Sequence, residues 1–141
     1  MSCEPPLNLT ARFFEGGGSG VGRTVCELFA GQGAQVVVAD ICKASAEATL
    51  KYLISETAHL AVQVDVTKED SVSAAFEAAR KHLGKAPEII VNSAGVSGPN
   101  KTLSEISKKE IEDVFSVNFF VSTKPTNEGT VNMQYGIFYL L

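Results

Sequence analysis

Apolar residues along the chain follow two alternating patterns, short β-branched runs and stripes with helical spacing. Runs such as Val36-Val37-Val38 and Ile89-Ile90-Val91 are typical of strands buried in a sheet. Between the runs, apolar residues recur three and four positions apart, as they do on one face of a helix. The alternation predicts four strands, each followed by a helix, at residues 9–14, 35–39, 59–66 and 89–91.

The predicted helices have recognisable boundaries. The first would bury Val21, Val25, Leu28 and Phe29 on one face and end at the glycines 31 and 33. Residues 67–70 and 107–110 each match a capping box, in which a Ser or Thr side chain and an acidic side chain three positions later bond each other's backbone N–H groups. The third and fourth helices are therefore expected to begin there.

Strands that alternate with helices predict a parallel sheet with helices on both faces, an α/β fold of partial Rossmann-type, doubly wound architecture. Right-handed crossovers then give the strand order 3-2-1-4. In such a fold the fourth strand is normally covered by a fifth. Residues 89–91 are therefore expected to form an unpaired edge unless residues 131–141 lie alongside them.

A glycine-rich loop, Gly16 to Gly22, separates the first predicted strand from its helix. Glycine tolerates tight turns and close backbone approach, and the N–H groups at a helix N-terminus suit a phosphate. The spacing G-x-x-x-G-x-G also fits a flexible linker. Phosphate binding is favoured because Asp40, Asp65 and the turn 92–95 also follow strands, so that all these segments meet at one edge of the sheet.

Asp40 lies 18 residues after Gly22, close to the spacing expected for a carboxylate that binds the 2′-hydroxyl of an adenosine ribose. A solvated aspartate at a strand end is the alternative. A carboxylate accepts hydrogen bonds from ribose hydroxyls but repels a 2′-phosphate, and the glycine loop contains no arginine or lysine. The predicted cofactor is therefore NAD rather than NADP.

Composition sets broad limits. The 141 residues suggest a single domain, and the net charge of −4 argues against a nucleic-acid partner. No apolar run is long enough to cross a membrane. Cys3, Cys26 and Cys42 lack the spacing of metal ligands and are expected to be free thiols in a reducing compartment, with Cys26 packed on a helix. The first eight residues resemble neither a secretory signal nor a good transit peptide, which leaves cytoplasm or mitochondrial matrix open.

Several motifs together resemble those of the short-chain dehydrogenase/reductases. Residues 15–22 are similar to the family's T-G-x-x-x-G-x-G signature, and Asn92-Ser93-Ala94-Gly95 is similar to its N-N-A-G turn. Asp65-Val66 resembles the aspartate after the third strand, and Asn118 matches the asparagine of the Asn-Ser-Tyr-Lys tetrad. The resemblance covers about residues 13–120. Within the family it is greatest to reductases of 3-oxoacyl thioesters and to steroid dehydrogenases.

The resemblance implies a role for each matching residue. The glycine loop would hold the adenine ribose and pyrophosphate, Asp40 and Ile41 the adenosine, and Asp65 and Val66 the border of the adenine. The turn after the fourth strand would line the nicotinamide side, and Asn118 would support a proton-relay water. As an amide in an apolar stripe, Asn118 also fits a purely structural role. The implied cofactor-binding residues are Gly16, Gly18, Ser19, Gly20, Val21, Gly22, Asp40, Ile41, Asp65, Val66, Asn92, Ser93, Ala94 and Gly95, with Asn118 as the catalytic residue.

Departures from the family pattern limit the expected activity. Glu15 replaces the signature threonine, and Arg12 interrupts a strand that should be apolar. The family's Tyr-x-x-x-Lys is missing after Asn118, since Lys124 precedes both Tyr135 and Tyr139. We therefore expect an irregular segment at residues 1–8, an incomplete NAD-binding domain at 9–121 and a divergent tail at 122–141.

Three hypotheses remain open from the sequence. The first is the NAD-binding portion of an oxidoreductase for keto or hydroxyl substrates, catalytically incomplete in this chain. The second is a non-catalytic module that associates with a full-length homologue, because complete family members are oligomers. The third is a fragment with no stable fold.

Overall fold

A computed structural model describes residues 11–53, 57–119 and 134–136. The described residues form one parallel sheet in the order β3-β2-β1-β4-β5, with helices between successive strands. This confirms the α/β class and the predicted order 3-2-1-4. The strands are β1 (Ala11–Glu15), β2 (Gln35–Asp40), β3 (Leu60–Gln63), β4 (Ile89–Asn92) and β5 (Gln134–Gly136). The helices are α1 (Gly20–Gly31), α2 (Lys43–Leu50), α3 (Glu69–Leu83) and α4 (Lys108–Asn118), with a 3₁₀ turn at Leu103–Glu105.

The boundaries of the strands differ from the predicted ones by a few residues. β1 runs to Glu15, and residues 9 and 10 lie outside the described part of the chain. β3 is shorter than predicted because its pairing with β2 ends where Asp40 meets Gln63. The chain beyond it still packs inward, since Val64 and Val66 are buried.

The expectation of an unpaired edge at the fourth strand is wrong. β5 pairs in parallel with β4, and Tyr135 is the register partner of Val91. The alternative, in which part of the tail lies alongside this edge, holds for residues 134–136. A parallel strand supplies backbone hydrogen-bond partners, so the ladder continues despite the glycine at its end. Residues 120–133 and 137–141 lie outside the described ranges.

β1 is the centre of two apolar layers. Phe13 faces α3 and stacks on Phe76 with ring centroids 4.3 Å apart, whereas Phe14 faces α1 and lies 5.4 Å from Phe29. Alternate residues of a strand point to opposite faces, so a strand between two helical layers must be apolar on both. Full burial of each aromatic side chain contributes about 1.5–3 kcal/mol.

Arg12 is buried on the same face as Phe14. Its guanidinium carbon lies 5.4 Å from the centroid of the Phe29 ring, at cation–π distance. Burial lowers the pKa of Arg12, and the nearby charge of Glu88 works against that effect. The arginine is thus accommodated by aromatic contact and by its long apolar stem rather than excluded from the strand.

The buried face of α1 differs from the predicted stripe. Val25 and Phe29 pack on the core as expected, but Val21 is 41% exposed and Leu28 60% exposed. The fully buried residues of the helix are small ones, Gly22, Cys26 and Ala30. Val21 and Leu28 lie on the side of the helix that faces solvent. The helix ends at Gly31, and Gly33 follows with a φ of +85°, as the glycine pattern predicts.

The two predicted capping boxes have different outcomes. Ser107 and Glu110 bond each other's backbone N–H groups at the start of α4, which confirms the second box. The first is wrong, because α3 begins at Glu69 with Lys68 as N-cap and without a side-chain cap. The Thr67 hydroxyl donates instead to Asp65 Oδ1 at 2.6 Å. The stronger charge-assisted partner explains the difference.

In the described ranges both cysteines are free thiols, with Cys26 buried on α1 as predicted and Cys42 exposed. The same ranges contain no group of three or more His, Cys, Asp or Glu side chains that could hold a metal ion. Among the described helices, none is both long enough and apolar enough to span a bilayer.

Candidate cofactor site

The segments that follow β1, β2, β3 and β4 lie at one edge of the sheet, where these parallel strands end. The glycine loop, Gly16 to Gly22, connects β1 to α1, and all of its glycines except Gly20 are packed where a side chain would not fit. A Cβ at Gly16 would lie 2.6 Å from the backbone nitrogen of Ala94, and Gly16 also has a φ of +71°. A Cβ at Gly22 would contact the carbonyl of Gly16 and lie 2.5 Å from Ser93 Oγ. The loop therefore needs glycine for close contact as well as for conformation.

The turn after β4 is fixed to the end of β1. Ser93 donates its backbone N–H and its hydroxyl to the carbonyl of Glu15, at 2.9 and 2.7 Å. These two bonds bring Ala94 against Gly16, and Gly95 lies close to the Asn118 side chain at the end of α4. The predicted meeting of the glycine loop with residues 92–95 is therefore present, at the point where the strand order reverses.

Asp40, at the end of β2, is bound to the glycine loop. Its Oδ2 accepts from the backbone N–H of Gly18 at 3.0 Å, and its Oδ1 accepts from that of Cys42 at 2.9 Å. A Cβ at Gly18 would lie only 2.6 Å from Asp40 Oδ2, so only glycine permits this approach. The carboxylate is thus oriented toward the loop rather than solvated independently at the strand end.

The N-terminus of α1 is suited to an anion. Ser19 is the N-cap in an extended conformation, and its hydroxyl does not cap the helix. The described first turn, which starts at Gly20, contains no acidic side chain. Backbone N–H groups at such an end lack helical acceptors and carry the positive end of the helix dipole. Gly20 has a φ of +51° and open space around it, and the neighbouring Val21 is exposed.

Asp65 forms a compact turn after β3. Hydrogen bonds from Thr67, together with Lys68 at 3.0 Å, lower the pKa of Asp65 to about 2. Val66 beside it is buried in the apolar core. Ile41 is 66% exposed at the end of β2, where its carbonyl accepts from the Gln63 side chain at 3.0 Å. Ile41 therefore offers an exposed apolar surface at this edge of the sheet.

Glu15 is the unusual group of the site. It is only 4% exposed, and burial raises its pKa to about 7. Its register partner across β1 and β4 is Asn92, also buried. Among the described residues neither Glu15 Oε2 nor Asn92 Oδ1 has a hydrogen-bond partner. An ionised carboxylate is costly in such a buried position without a partner, and a proton on Glu15 removes that charge.

Asn118, the last residue of α4, holds the loop after β4. Its Oδ1 accepts from the backbone N–H of Val96 and its Nδ2 donates to the Val96 carbonyl, both at 2.9 Å. The side chain is half-buried, and both of its polar ends are bonded. These contacts establish a structural role in the described loop.

Two residues that the sequence analysis did not identify also contact the glycine loop. Arg23 on α1 and Thr49 on α2 bond the carbonyl groups of Gly18 and Gly17. Their contribution depends on the packing of two helices, and neither residue belongs to the motif. The only sequence signal is the position of Arg23, directly after the last glycine of the loop.

Comparison with known proteins gives the class of this fold and site. Residues 13–136 match the model of the short chain dehydrogenase family. The chain belongs to the short-chain dehydrogenases, which confirms the resemblance carried by its motifs.

Three relatives illustrate the similarity, and each is longer than this chain. The chain is 41% identical over 113 residues to momilactone A synthase of Oryza sativa subsp. japonica, covering 77% of this chain and 40% of that protein. It is 35% identical over 104 residues to secoisolariciresinol dehydrogenase of Forsythia intermedia, covering 73% and 37%. The crystal structure of 3-ketoacyl-(acyl-carrier-protein) reductase from Brucella melitensis complexed with NADH superposes with a TM-score of 0.74 at 35% identity, covering 80% of this chain and 46% of that one. The chain thus spans less than half the length of these proteins.

Proposed function

We propose that this chain binds NAD(H) at the carboxyl edge of its sheet, as the cofactor-binding portion of a short-chain dehydrogenase. The observation that carries the proposal is the 3.0 Å bond from Gly18 N–H to Asp40, beside the N-terminus of α1. It brings a ribose-binding carboxylate and a phosphate-binding helix end together. The NADH complex of the Brucella relative supports the same ligand.

Asp40 also accounts for the choice between the two nicotinamide cofactors. A carboxylate offers about four lone-pair sites, and two are used by Gly18 and Cys42. The others remain for the ribose hydroxyls, whereas a 2′-phosphate would be repelled. The cradle fits a dinucleotide because a Cβ would fill it at Gly16, Gly18 and Gly22.

The remaining roles follow from position in the fold. Asp65, Val66 and Ile41 would border the adenine, since they follow β3 and β2 on the side of the sheet away from β4. The turn after β4, comprising Asn92, Ser93, Ala94 and Gly95, would line the nicotinamide side. Asn118 would act there by holding the Val96 peptide in place.

Calorimetric titration of the purified chain with NADH and NADPH tests this proposal. We expect NADH to bind at least tenfold more tightly, and Asp40→Ala to abolish the preference. Asp113→Ala is the matched control, because that aspartate lies on the exposed face of α4 and pairs only locally with Lys109. Equal affinities for the unsubstituted chain would overturn the assignment.

The family chemistry implied for the longer protein is hydride transfer between the nicotinamide and a keto or hydroxyl group. We propose a 3-oxoacyl thioester or steroid as the substrate class, and that this chain alone does not turn it over. Bound cofactor would supply the hydride, but the accompanying proton needs an acid–base group worth about 10²–10⁴-fold in rate. An amide such as Asn118 neither donates a proton readily nor activates an alcohol.

Turnover is measured through NADH absorbance with panels of 3-oxoacyl thioesters and 17-keto steroids. No rate above that of NADH alone is expected. A robust rate that disappears in Tyr135→Phe would show that the tail supplies the missing acid, although that tyrosine lacks a lysine four positions later to lower its pKa. A rate that survives the substitution would equally refute the proposed incompleteness.

Association with a longer family member is a second candidate function. It is favoured by the exposed apolar side chains of α4, Ile111 and Phe115, which are 43% and 51% exposed. Co-expression of the tagged chain with a full-length homologue, followed by size-exclusion chromatography, tests it. A stable mixed complex that Phe115→Ser weakens would support this candidate, whereas separate elution of the two proteins would exclude it.

A further inference from the structure

The carbonyl groups of the glycine loop are bonded from outside the loop. Thr49, fully buried on α2, has its hydroxyl oxygen 3.0 Å from the carbonyl of Gly17. Arg23 donates from one terminal nitrogen to the carbonyl of Gly18 at 2.5 Å and from Nε to the Thr49 hydroxyl oxygen at 3.0 Å. Two successive peptide carbonyls of the loop are therefore attached to one connected pair of side chains, called here the Arg23–Thr49 clamp.

The clamp has a defined geometry. The Thr49 hydroxyl has one proton, which reaches either the Gly17 carbonyl or the helical carbonyl of Ser45 at 3.2 Å. Its lone pair accepts from Arg23, so the arginine contact favours the hydroxyl orientation that donates to a carbonyl. The guanidinium also lies 5.2 Å from the centroid of the Tyr52 ring. A planar group fixed on several sides is more rigid than a lysine ammonium at the same place.

Fixing a carbonyl also fixes the N–H group of the same peptide. In a trans peptide the C=O and N–H groups point in opposite directions. The carbonyl of Gly17 directed at Thr49 therefore turns the N–H of Gly18 the other way, where it meets Asp40. The carbonyl of Gly18 directed at Arg23 likewise turns the N–H of Ser19 away from the arginine, next to the first turn of α1.

We propose that Arg23 and Thr49 are positioning residues for the dinucleotide, which hold the glycine loop so that the N–H of Ser19 and those of the α1 N-terminus face the pyrophosphate. The inference rests on the proposed NAD(H) site and adds two residues outside its motif. Three consecutive glycines have a wide choice of backbone conformations, so an unclamped loop must be ordered when the ligand binds. A clamp that orders it beforehand raises affinity without touching the ligand.

Thr49→Val is the central variant, because it keeps the shape of the side chain and removes only the hydroxyl. We expect NADH affinity to fall about tenfold, and Thr49→Ser, which retains the hydroxyl, to restore it. Arg23→Gln should weaken binding similarly. The double variant should bind no more weakly than the poorer single one, since both act through one clamp. Wild-type affinity in Thr49→Val, or full additivity of the two changes, would overturn the inference.

A measurement without cofactor separates this inference from the proposed function. Hydrogen exchange of the ligand-free chain should rise in Thr49→Val at residues 17–22 and remain unchanged in β2 and α3, with Thr49→Ser close to wild type. Faster exchange throughout the chain would instead indicate a general packing role and would refute positioning. If Thr49→Val does not fold, Arg23→Gln carries the same test from a half-buried site. Failure of the wild-type chain to bind NADH, with the exchange result as expected, would overturn the proposed ligand and leave the clamp intact.

Discussion

Replacement of Glu15 by glutamine should change how the stability of the protein depends on pH. The wild-type carboxyl is buried beside Asn92, and burial raises its pKa from 4.5 to about 7. Loss of water around the carboxyl causes this rise in pKa. Arg12 on the same strand does not offset it, because its side chain lies on the opposite face of the sheet, against Phe29. A glutamine keeps the shape of the side chain and cannot ionise.

The sign and size follow from proton linkage. A carboxyl with a raised folded-state pKa holds its proton in the folded protein at pH values where the unfolded chain has lost it. The free energy of unfolding therefore falls as pH rises from 4.5 to about 7 and levels off above. The rise in pKa from 4.5 to about 7 corresponds to about 3 kcal/mol, since one pKa unit is worth about 1.36 kcal/mol.

Urea unfolding of wild type and Glu15→Gln at several pH values from 4.5 to 8 measures the effect. Comparison of the two proteins is essential, because burial lowers the pKa of His59 and this stabilises the fold with rising pH in part of the same range. We expect the stability of Glu15→Gln relative to wild type to increase by about 3 kcal/mol across the range. Glu112→Gln, on the exposed face of α4, is the control, and its stability should depend on pH as that of wild type does. A parallel curve for Glu15→Gln would refute the reasoning.

Three further predictions concern the loop, the helix end and the sheet edge. Gly22→Ala should destabilise the fold by about 1–3 kcal/mol through overpacking and should abolish NADH binding. Gly20→Ala, where there is open space but a positive φ, should cost only about 1 kcal/mol. Thermal unfolding and NADH titration compare the two variants, and equal losses of stability would contradict the packing argument. Asn118→Ala removes both hydrogen bonds to Val96 and should lower the free energy of unfolding by about 1–3 kcal/mol. Urea unfolding measures the change, and an unchanged midpoint would contradict this prediction. Hydrogen exchange should be slow at residues 134–136, and exchange as fast as in an unfolded peptide would argue against β5.

Local sequence patterns predicted much of the fold because β2 and β4 each contain a continuous β-branched run. The run Val36-Val37-Val38 is buried on both faces in β2, and the order of the first four strands follows from right-handed crossovers. β5 could not be predicted with the same force. Its three residues, Gln134–Gly136, are held by pairing with β4, a contact distant in sequence that short apolar patterns do not reveal.

The site shows the same division between local and distant information. The positions of Asp40 and the glycine loop followed from spacing, because strand ends converge in any parallel sheet. The buried side of α1 did not, because apolar spacing alone does not separate Leu28, which is exposed, from the small residues Cys26 and Ala30, which are buried. Thr49 was not identified because its role depends on how α2 packs against the loop.

The central claim is that the ligand lies across the carboxyl ends of the strands, and amide NMR of the chain titrated with NADH tests it most directly. We predict saturable shifts at residues 16–22, 40–41, 65–66 and 94–95, with amides at the opposite ends of the strands, such as Gln35 and Ile89, unmoved. Saturable shifts confined to another surface, or none at NADH concentrations that saturate a full-length relative, would contradict the account.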